Sequence, residues 1–198
     1  MLQSRNIFLA LTATAVLVSG CSIHTRGDKE SGDKDVTISS PMGGLKVRTD
    51  DVDAKDTGLA IYPGARKKPN DNDHDKKQAN VNIDTPWFGV KVVAVTFLSD
   101  DSPDKVWDFY KKDMDRYGHV LECKKGSPDM DLKKTNKDML TCEDEEHHKG
   151  SVQIRVDDKE LKVGTSDRQR IVAVKPNGSG TEFSLVYVQT RGGSKESI

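Results

Sequence analysis

Two short segments carry side chains that could hold a metal ion. Residues 71–75 (DNDHD) place oxygen ligands at alternate positions, but Lys76 and Asn82 stand where a calcium-binding loop needs glycine and glutamate. His147 and His148 follow four acidic residues and are better candidates, for zinc or copper. Consecutive side chains of a strand point to opposite faces, however, so these histidines need distant partners. We predict neither a metal site nor a cofactor and keep a metal-binding protein as an alternative.

Motifs of common enzymes do not occur in the sequence. It has no G-x-S-x-G elbow, H-E-x-x-H helix, phosphate-binding loop or dinucleotide fingerprint. A Ser/His/Asp triad assembles from distant positions, so a hydrolase of unrecognised type stays open as an alternative. We therefore name no catalytic residue and expect a binding protein more than an enzyme.

The first 21 residues have the layout of an export signal. Arg5 and the amino terminus are positively charged. Residues 7–18 form an apolar run of about 12 residues, whereas a membrane-spanning helix needs roughly 20. The run ends in VSGC, whose cysteine is Cys21, and this resembles the lipobox of bacterial lipoprotein precursors. The resemblance implies that residues 1–20 are a signal peptide and that acyl groups such as palmitate anchor Cys21 in a membrane; an ordinary signal peptide is the alternative.

Lipid anchoring also implies a location. Aspartate after the acylated cysteine is the familiar signal for retention in the inner membrane, and here that residue is Ser22. By resemblance to this sorting rule, we expect the protein in the bacterial cell envelope, at the outer membrane facing the periplasm. Several acyl chains make anchoring effectively permanent, because each buried methylene contributes about 0.8 kcal/mol.

The other two cysteines, Cys123 and Cys142, are then left in a compartment that permits disulfide bonds. We predict that they are bonded to each other. The closed loop of about 20 residues would stabilise the fold by roughly 3 kcal/mol in the loop-entropy model. A metal-binding or redox pair would need closer spacing, such as C-x-x-C, or further ligands.

Charge and composition narrow the class of partner. The 198 residues include 31 basic and 32 acidic ones, and removal of the leader takes away one basic residue, Arg5. The remaining 30 basic and 32 acidic residues are nearly balanced, so we expect no nucleic-acid partner. Charged residues make up 32% and aromatic ones 6% of the chain, which predicts a modest core in a single domain.

Local composition divides the chain into segments. Residues 21–34 are polar and predict a flexible tether that carries the lipid, and residues 35–190 predict one domain. Within that domain, residues 66–80 (RKKPNDNDHDKKQAN) predict a mobile, solvated loop. Residues 191–198 predict a disordered tail.

Alternation of apolar and polar residues predicts strands. Residues 36–47 and 81–92 form a weak repeat with six identical positions of twelve. Each copy alternates, breaks at Pro-x-x-Gly and alternates again, which predicts strand, turn and strand. Duplication and convergent turn chemistry explain the repeat equally well. Residues 170–175 and 181–189 flank the sequence PNGSG and predict a further hairpin.

One helix is predicted after Ser102, its N-cap residue, with Pro103 at the first helical position. Its apolar and aromatic residues share one face, so we expect an amphipathic helix that ends at Gly118 with a left-handed C-cap. Residues 61–65 (IYPGA) and 99–110 (SDDSPDKVWDFY) also resemble uncharacterised bacterial exported proteins, in which a YPGA turn precedes such a helix. That resemblance transfers no active residue.

These elements together predict an α+β fold, with one amphipathic helix packed on a mostly antiparallel β-sheet. We expect a lipid-anchored periplasmic lipoprotein that binds an envelope protein, a glycan or a small ligand through its sheet face or loops. The alternatives are an envelope hydrolase and a metal-binding lipoprotein.

Overall fold

Strands make up most of the computed structural model, which describes residues 21–27, 34–49, 52–69, 78–124, 140, 142 and 159–192. These residues form one α-helix, α1 (Pro103–Asp115), and a short 3-10 helix (Ala54–Thr57). The ten strands of this part of the chain are β1 (Ser22–Gly27), β2 (Lys34–Ser40), β3 (Gly43–Arg48), β4 (Arg66–Lys67), β5 (Gln78–Asp84), β6 (Gly89–Ser99), β7 (Leu121–Lys124), β8 (Lys159–Thr165), β9 (Arg168–Asn177) and β10 (Gly180–Arg191).

The strands belong to one sheet. Its order is β1-β2-β3-β5-β6-β10-β9-β8-β7, and each neighbouring pair is antiparallel. β4 pairs with Phe97 and Leu98 near the end of β6, beyond the point at which the first residue of β5, Gln78, pairs with Val95. α1 contacts β8, β9 and β10. One helix on a mostly antiparallel sheet confirms the predicted α+β class.

The predicted hairpins occur in the structure. Residues 36–47 form β2, a turn and β3, while residues 81–92 form the corresponding parts of β5 and β6. The two hairpins lie side by side, because β3 pairs with β5. β9 and β10 form the last hairpin, whose turn contains Gly178 at φ +60°. Glycine adopts this positive φ without steric cost, as tight hairpin turns require.

The main core lies between α1 and one face of the sheet. Val106, Tyr110 and Met114 of the helix are fully buried there. The ring of Phe183 stacks on that of Phe97 and contacts that of Tyr110, with ring centroids 5.5 Å apart in both cases. Contacts between large aromatic rings therefore form the centre of this core.

Two segments that were expected to be unstructured contribute strands. Ser22–Gly27, within the predicted tether 21–34, pair with β2. Arg66–Lys67 and residues 78–80, both within the predicted loop 66–80, pair with β6. An exposed strand edge offers backbone hydrogen bonds to a neighbouring segment whatever its polarity, and local composition does not report this. The remainder of the tether, loop and tail lies outside the described residues, except for the start of the tail, where Arg191 ends β10 and Gly192 follows it.

The helix starts where the sequence predicts but ends earlier. Ser102 is the N-cap and Pro103 the first helical residue. The helix ends at Asp115 with Arg116 as its C-cap, so the prediction of a C-cap at Gly118 is wrong. The N–H of Gly118 donates to the carbonyl of Asp115 at 3.1 Å, an i→i+3 bond that tightens the chain before the glycine.

Candidate functional site

The loop that precedes β4 is held against α1 by three hydrogen bonds. The backbone N–H of Tyr62 donates to the hydroxyl of Tyr110 at 3.2 Å, and the hydroxyl of Tyr62 donates to Asp101 at 3.0 Å. The backbone N–H of Ala60 donates to the carboxylate of Asp113 at 3.0 Å. These residues come from the YPGA turn and the helix that the sequence singled out. The motif therefore fixes a loop on the helix.

The acid–base properties of this contact suit a structural role. Burial, followed by the hydrogen bond to Asp101, raises the pKa of Tyr62, and burial raises the pKa of Tyr110. Hydrogen bonds from Lys105 and Tyr62 hold the pKa of Asp101 below its usual value. At neutral pH the two hydroxyls therefore stay protonated and the carboxylate stays charged. A tyrosine that acts as a general base needs a lowered pKa, so these groups are poorly suited to proton transfer.

An open groove of about 620 Å³ lies beside β8, β9 and β10 and is a candidate ligand site; a second open groove, of about 770 Å³, lies between the loop before β4 and α1. Arg168, Gln189, Thr190 and Asp167 contribute polar groups to the lining of the first groove. The backbone N–H of Thr190 donates to the carbonyl of Asp167 at 2.8 Å, which fastens the turn between β8 and β9 to β10. Guanidinium, amide and hydroxyl groups on a fixed frame can hydrogen-bond a polar ligand such as a glycan or a peptide.

Arg170 forms one wall of this groove. Its guanidinium carbon lies 3.7 Å from the ring centroid of Tyr117 and 5.1 Å from that of Tyr187. Its Nε–H donates to the backbone carbonyl of Thr57 at 3.0 Å. The sequence analysis did not identify this residue, although it stands two positions before Val172 and so on the strand face that packs against α1, where an arginine is an available signal.

A second charged cluster lies on the sheet face opposite α1. Glu182 accepts a hydrogen bond from Lys68 at 2.8 Å and pairs with Lys175 at 3.1 Å. Burial acts to raise the pKa of Glu182, but the two lysines outweigh it, so the pKa lies below its ordinary value. The sequence analysis missed this cluster, because its members come from three separate segments that only the sheet brings together.

The predicted cysteine sites are found as follows. Cys123 and Cys142 form a disulfide, with their Cα atoms 5.3 Å apart, and this confirms the predicted pairing. Cys21 is free and exposed, and it directly precedes β1. Its acylation stays a prediction.

The predicted metal candidates lie outside the described residues. This holds for His147, His148 and residues 71–75. Where side chains are described, no three of the histidine, cysteine, aspartate and glutamate residues lie close enough together to hold a metal ion. The helices in that part of the chain include none with the length and apolar character to cross a bilayer.

Comparison with known proteins identifies no relative. No family model matches the chain, and neither a curated protein nor a solved structure is significantly similar to it. The function must therefore be argued from the residues of this chain.

Proposed function

We propose that this chain is a bacterial lipoprotein precursor whose residues 1–20 are removed and whose Cys21 is acylated. The sequence VSGC after a short apolar run carries the proposal. The exposure of Cys21 and its position before the first strand support it, because an acylated residue must be free to reach a bilayer. Ser22 favours the outer membrane facing the periplasm.

The mature domain is a non-enzymatic module that binds an envelope protein, a glycan or a small ligand. The polar groove beside Arg168 supports this function, since its hydrogen-bonding groups sit on a rigid hairpin and remain partly open to solvent. The buried residues of α1 recur at helical spacing among exposed charged ones, which supports the amphipathic helix that backs this frame. The tyrosines and carboxylates around α1 hold the loop that precedes β4 against the helix.

Replacement of the cysteine tests the anchor. Cys21→Ala should abolish incorporation of labelled palmitate and release the protein from washed membranes, because the thiol that carries the acyl group is gone. Incorporation of labelled palmitate into this variant at the wild-type level would refute acylation of Cys21. Cys123→Ser together with Cys142→Ser is the matched control, which loses the two cysteines of the disulfide and should keep the label.

The sorting rule has its own test. Ser22→Asp should move the acylated protein from outer-membrane to inner-membrane fractions on a density gradient. Ser22→Ala serves as the control and should stay with the outer membrane. Equal distribution of the two variants would contradict the sorting rule, and recovery of Ser22→Ala in inner-membrane fractions would contradict the assigned location; neither outcome bears on acylation.

The groove is tested by site-specific photo-crosslinking in intact envelopes. A photoreactive amino acid at Arg168 or Thr190 should yield a defined adduct, and one at Asp115, an exposed helix position, should not. Adducts at Asp115 alone, or none at the groove positions, would place the binding surface elsewhere.

A further inference from the structure

Most of the large exposed apolar side chains of the described residues lie at one end of the strands. This boundary of the sheet consists of strand ends and turns, not of an outer strand, and is called the edge below. Five large apolar side chains of the described residues are substantially exposed: Ile23 (65%), Met42 (57%), Ile61 (45%), Trp87 (65%) and Phe88 (42%). Four of them lie at or next to the edge where the β2–β3 and β5–β6 turns project. Ile61 is the exception and lies in the loop held against α1. Such clustering marks a contact surface, whereas single exposed apolar residues need no explanation.

Strand register places Cys21 at the same edge. One row of paired residues crosses six strands there: Ser22, Ser39, Gly44, Asp84, Gly89 and Arg191. Cys21 and both turns lie directly beyond this row. Three strand spacings, about 15 Å, separate the strand of Cys21 from β5, which leads into Trp87.

Side-chain hydrogen bonds fix the backbone of both turns. The exposed apolar residues of these turns, Met42, Trp87 and Phe88, are called the tips below. The hydroxyl of Ser40 accepts a hydrogen bond from the N–H of Met42 at 3.3 Å and donates to the carbonyl of Gly43 at 2.9 Å. The hydroxyl of Thr85 accepts from the N–H of Phe88 at 3.0 Å and donates to its carbonyl at 2.7 Å. A Cβ at Gly43 would come within 2.5 Å of a carbonyl oxygen of β5, so the turns pack backbone to backbone.

Basic residues stand behind these tips. The row two residues in from the edge consists of His24, Thr37, Lys46, Asn82, Lys91, Gln189 and Arg168. Three of its members are lysine or arginine and none is acidic, and the edge row in front of it carries one exposed acid, Asp84, which is paired with Arg191. Tryptophan is enriched at the headgroup level of bilayers, and nearby cations are attracted to anionic lipids. The order of apolar tips followed by basic residues therefore matches a membrane interface.

We propose that this edge docks on the bilayer that holds the acyl groups of Cys21, with Met42, Trp87 and Phe88 inserted at headgroup level. The inference rests on the proposed acylation and adds the orientation of the domain. Ser22 already belongs to β1, and one residue spans at most about 3.6 Å, so the acylated residue holds the sheet edge against the membrane. The sheet thus stands on the bilayer by its edge.

Fluorescence of the full acylated protein in vesicles of phosphatidylethanolamine and phosphatidylglycerol tests the depth of Trp87. Brominated acyl chains should quench wild-type emission, and Trp87→Phe should lose most of this quenching. The other tryptophan, Trp107, is buried in the core at 8% exposure and supplies the baseline. Acrylamide, a quencher dissolved in water, should reach Trp87 less in vesicles than in detergent-free solution of the Cys21→Ser mature chain.

Binding of the non-acylated Cys21→Ser chain to vesicles tests the three tip residues in the absence of acyl groups. Replacing Met42, Trp87 and Phe88 together by serine should weaken its binding to the same vesicles by about tenfold or more, because apolar area no longer leaves water. Ile61→Ser is the matched control and should bind as the parent does. Circular dichroism of each variant checks that the fold is retained.

The outcomes separate this inference from the proposed anchoring. If mass analysis finds Cys21 acylated but Trp87 stays open to acrylamide, the edge does not dock and the anchor stands. If Trp87 is shielded from both acrylamide and brominated lipid, a protein or a second copy covers it, which also overturns the inference. If Cys21 carries no acyl group, the anchoring fails, and vesicle binding of the non-acylated chain decides whether the tips contact lipid.

Discussion

Leu185 of β10 and Leu45 of β3 lie on opposite sides of β6 in the strand order, and they differ in burial. Leu185 is completely buried in the core next to α1, whereas Leu45 keeps part of its surface exposed. The same contrast holds for their surroundings. In β8, β9 and β10, the helix-covered half, central residues are buried on both sides of the sheet. In β1, β2, β3 and β5, the hairpin half, most residues are partly buried or exposed.

The difference in burial indicates that one half of the sheet provides most of the stability, while the other half exposes its turns. Burial of apolar area stabilises the folded state in proportion to the area removed from water, so the helix-covered half carries most of that free energy. The hairpin half contributes less and presents its turns to the surroundings. It continues the same backbone ladder, since β5 and β6 pair over seven residues, and this connection fixes the position of its turns.

Two matched leucine variants test whether the helix-covered half is packed more closely than the hairpin half. Leu185→Ala should lower the free energy of unfolding by about 3–5 kcal/mol, because it leaves a cavity in a closed core. Leu45→Ala should cost only about 1 kcal/mol, because its surroundings are partly solvated. Urea unfolding followed by circular dichroism measures both. Equal losses would show that the two halves are equally well packed.

The disulfide tests the stability of β7, the strand next to the helix-covered half. It joins Cys123 in β7 to Cys142 across a sequence separation of 19 residues. Replacing both cysteines by serine should lower the free energy of unfolding by about 3 kcal/mol, because the unfolded chain gains freedom. Thermal unfolding of this variant and of the reduced wild type should agree. If neither form is less stable than the oxidised wild type, the disulfide does not contribute to the free energy of unfolding.

A smaller loss is expected from the contact between the loop and the helix. Tyr110→Phe removes the hydroxyl that accepts the backbone N–H of Tyr62, and leaves that buried donor without its partner. The free energy of unfolding should fall by about 1–2 kcal/mol. Tyr187→Phe, whose hydroxyl donates to the partly exposed Gln189 at 2.8 Å, is the control and should cost less. A larger cost for the control would reverse the assigned importance of the two contacts.

The smallest effect concerns pH. Glu182 has a folded-state pKa below its ordinary value of 4.5, because two lysine contacts outweigh the burial that would raise it. Its contribution to stability is therefore complete above pH 4.5 and is lost as the pH falls through the folded-state pKa. Glu182→Gln should make the free energy of unfolding fall less steeply with acid over this range, because the group that takes up the proton is gone. An unaltered pH profile would assign the acid sensitivity to other carboxylates.

Local patterns predicted much of the fold. The alternation in residues 36–47 and 170–189, with proline and glycine at the turns, predicted hairpins that the structure contains. Ser102 and Pro103 predicted the start of α1 for a similarly local reason, since proline has a fixed φ that suits the first helical position, although the side chain of Ser102 makes no capping hydrogen bond. β1 escaped prediction, because six polar-rich residues become a strand only when the edge of β2 lies beside them.

The pairing of Cys123 with Cys142 was predictable from sequence, because these two cysteines are left if Cys21 is acylated as predicted. The sequence by itself also determined which residues form turns, since φ preferences are local. Only the tertiary structure decided that Cys21, Met42 and Trp87 share one edge and that Glu182 lies between two lysines. Strand order and register result from the competition among all possible pairings across the sheet, and no short window of sequence contains that information.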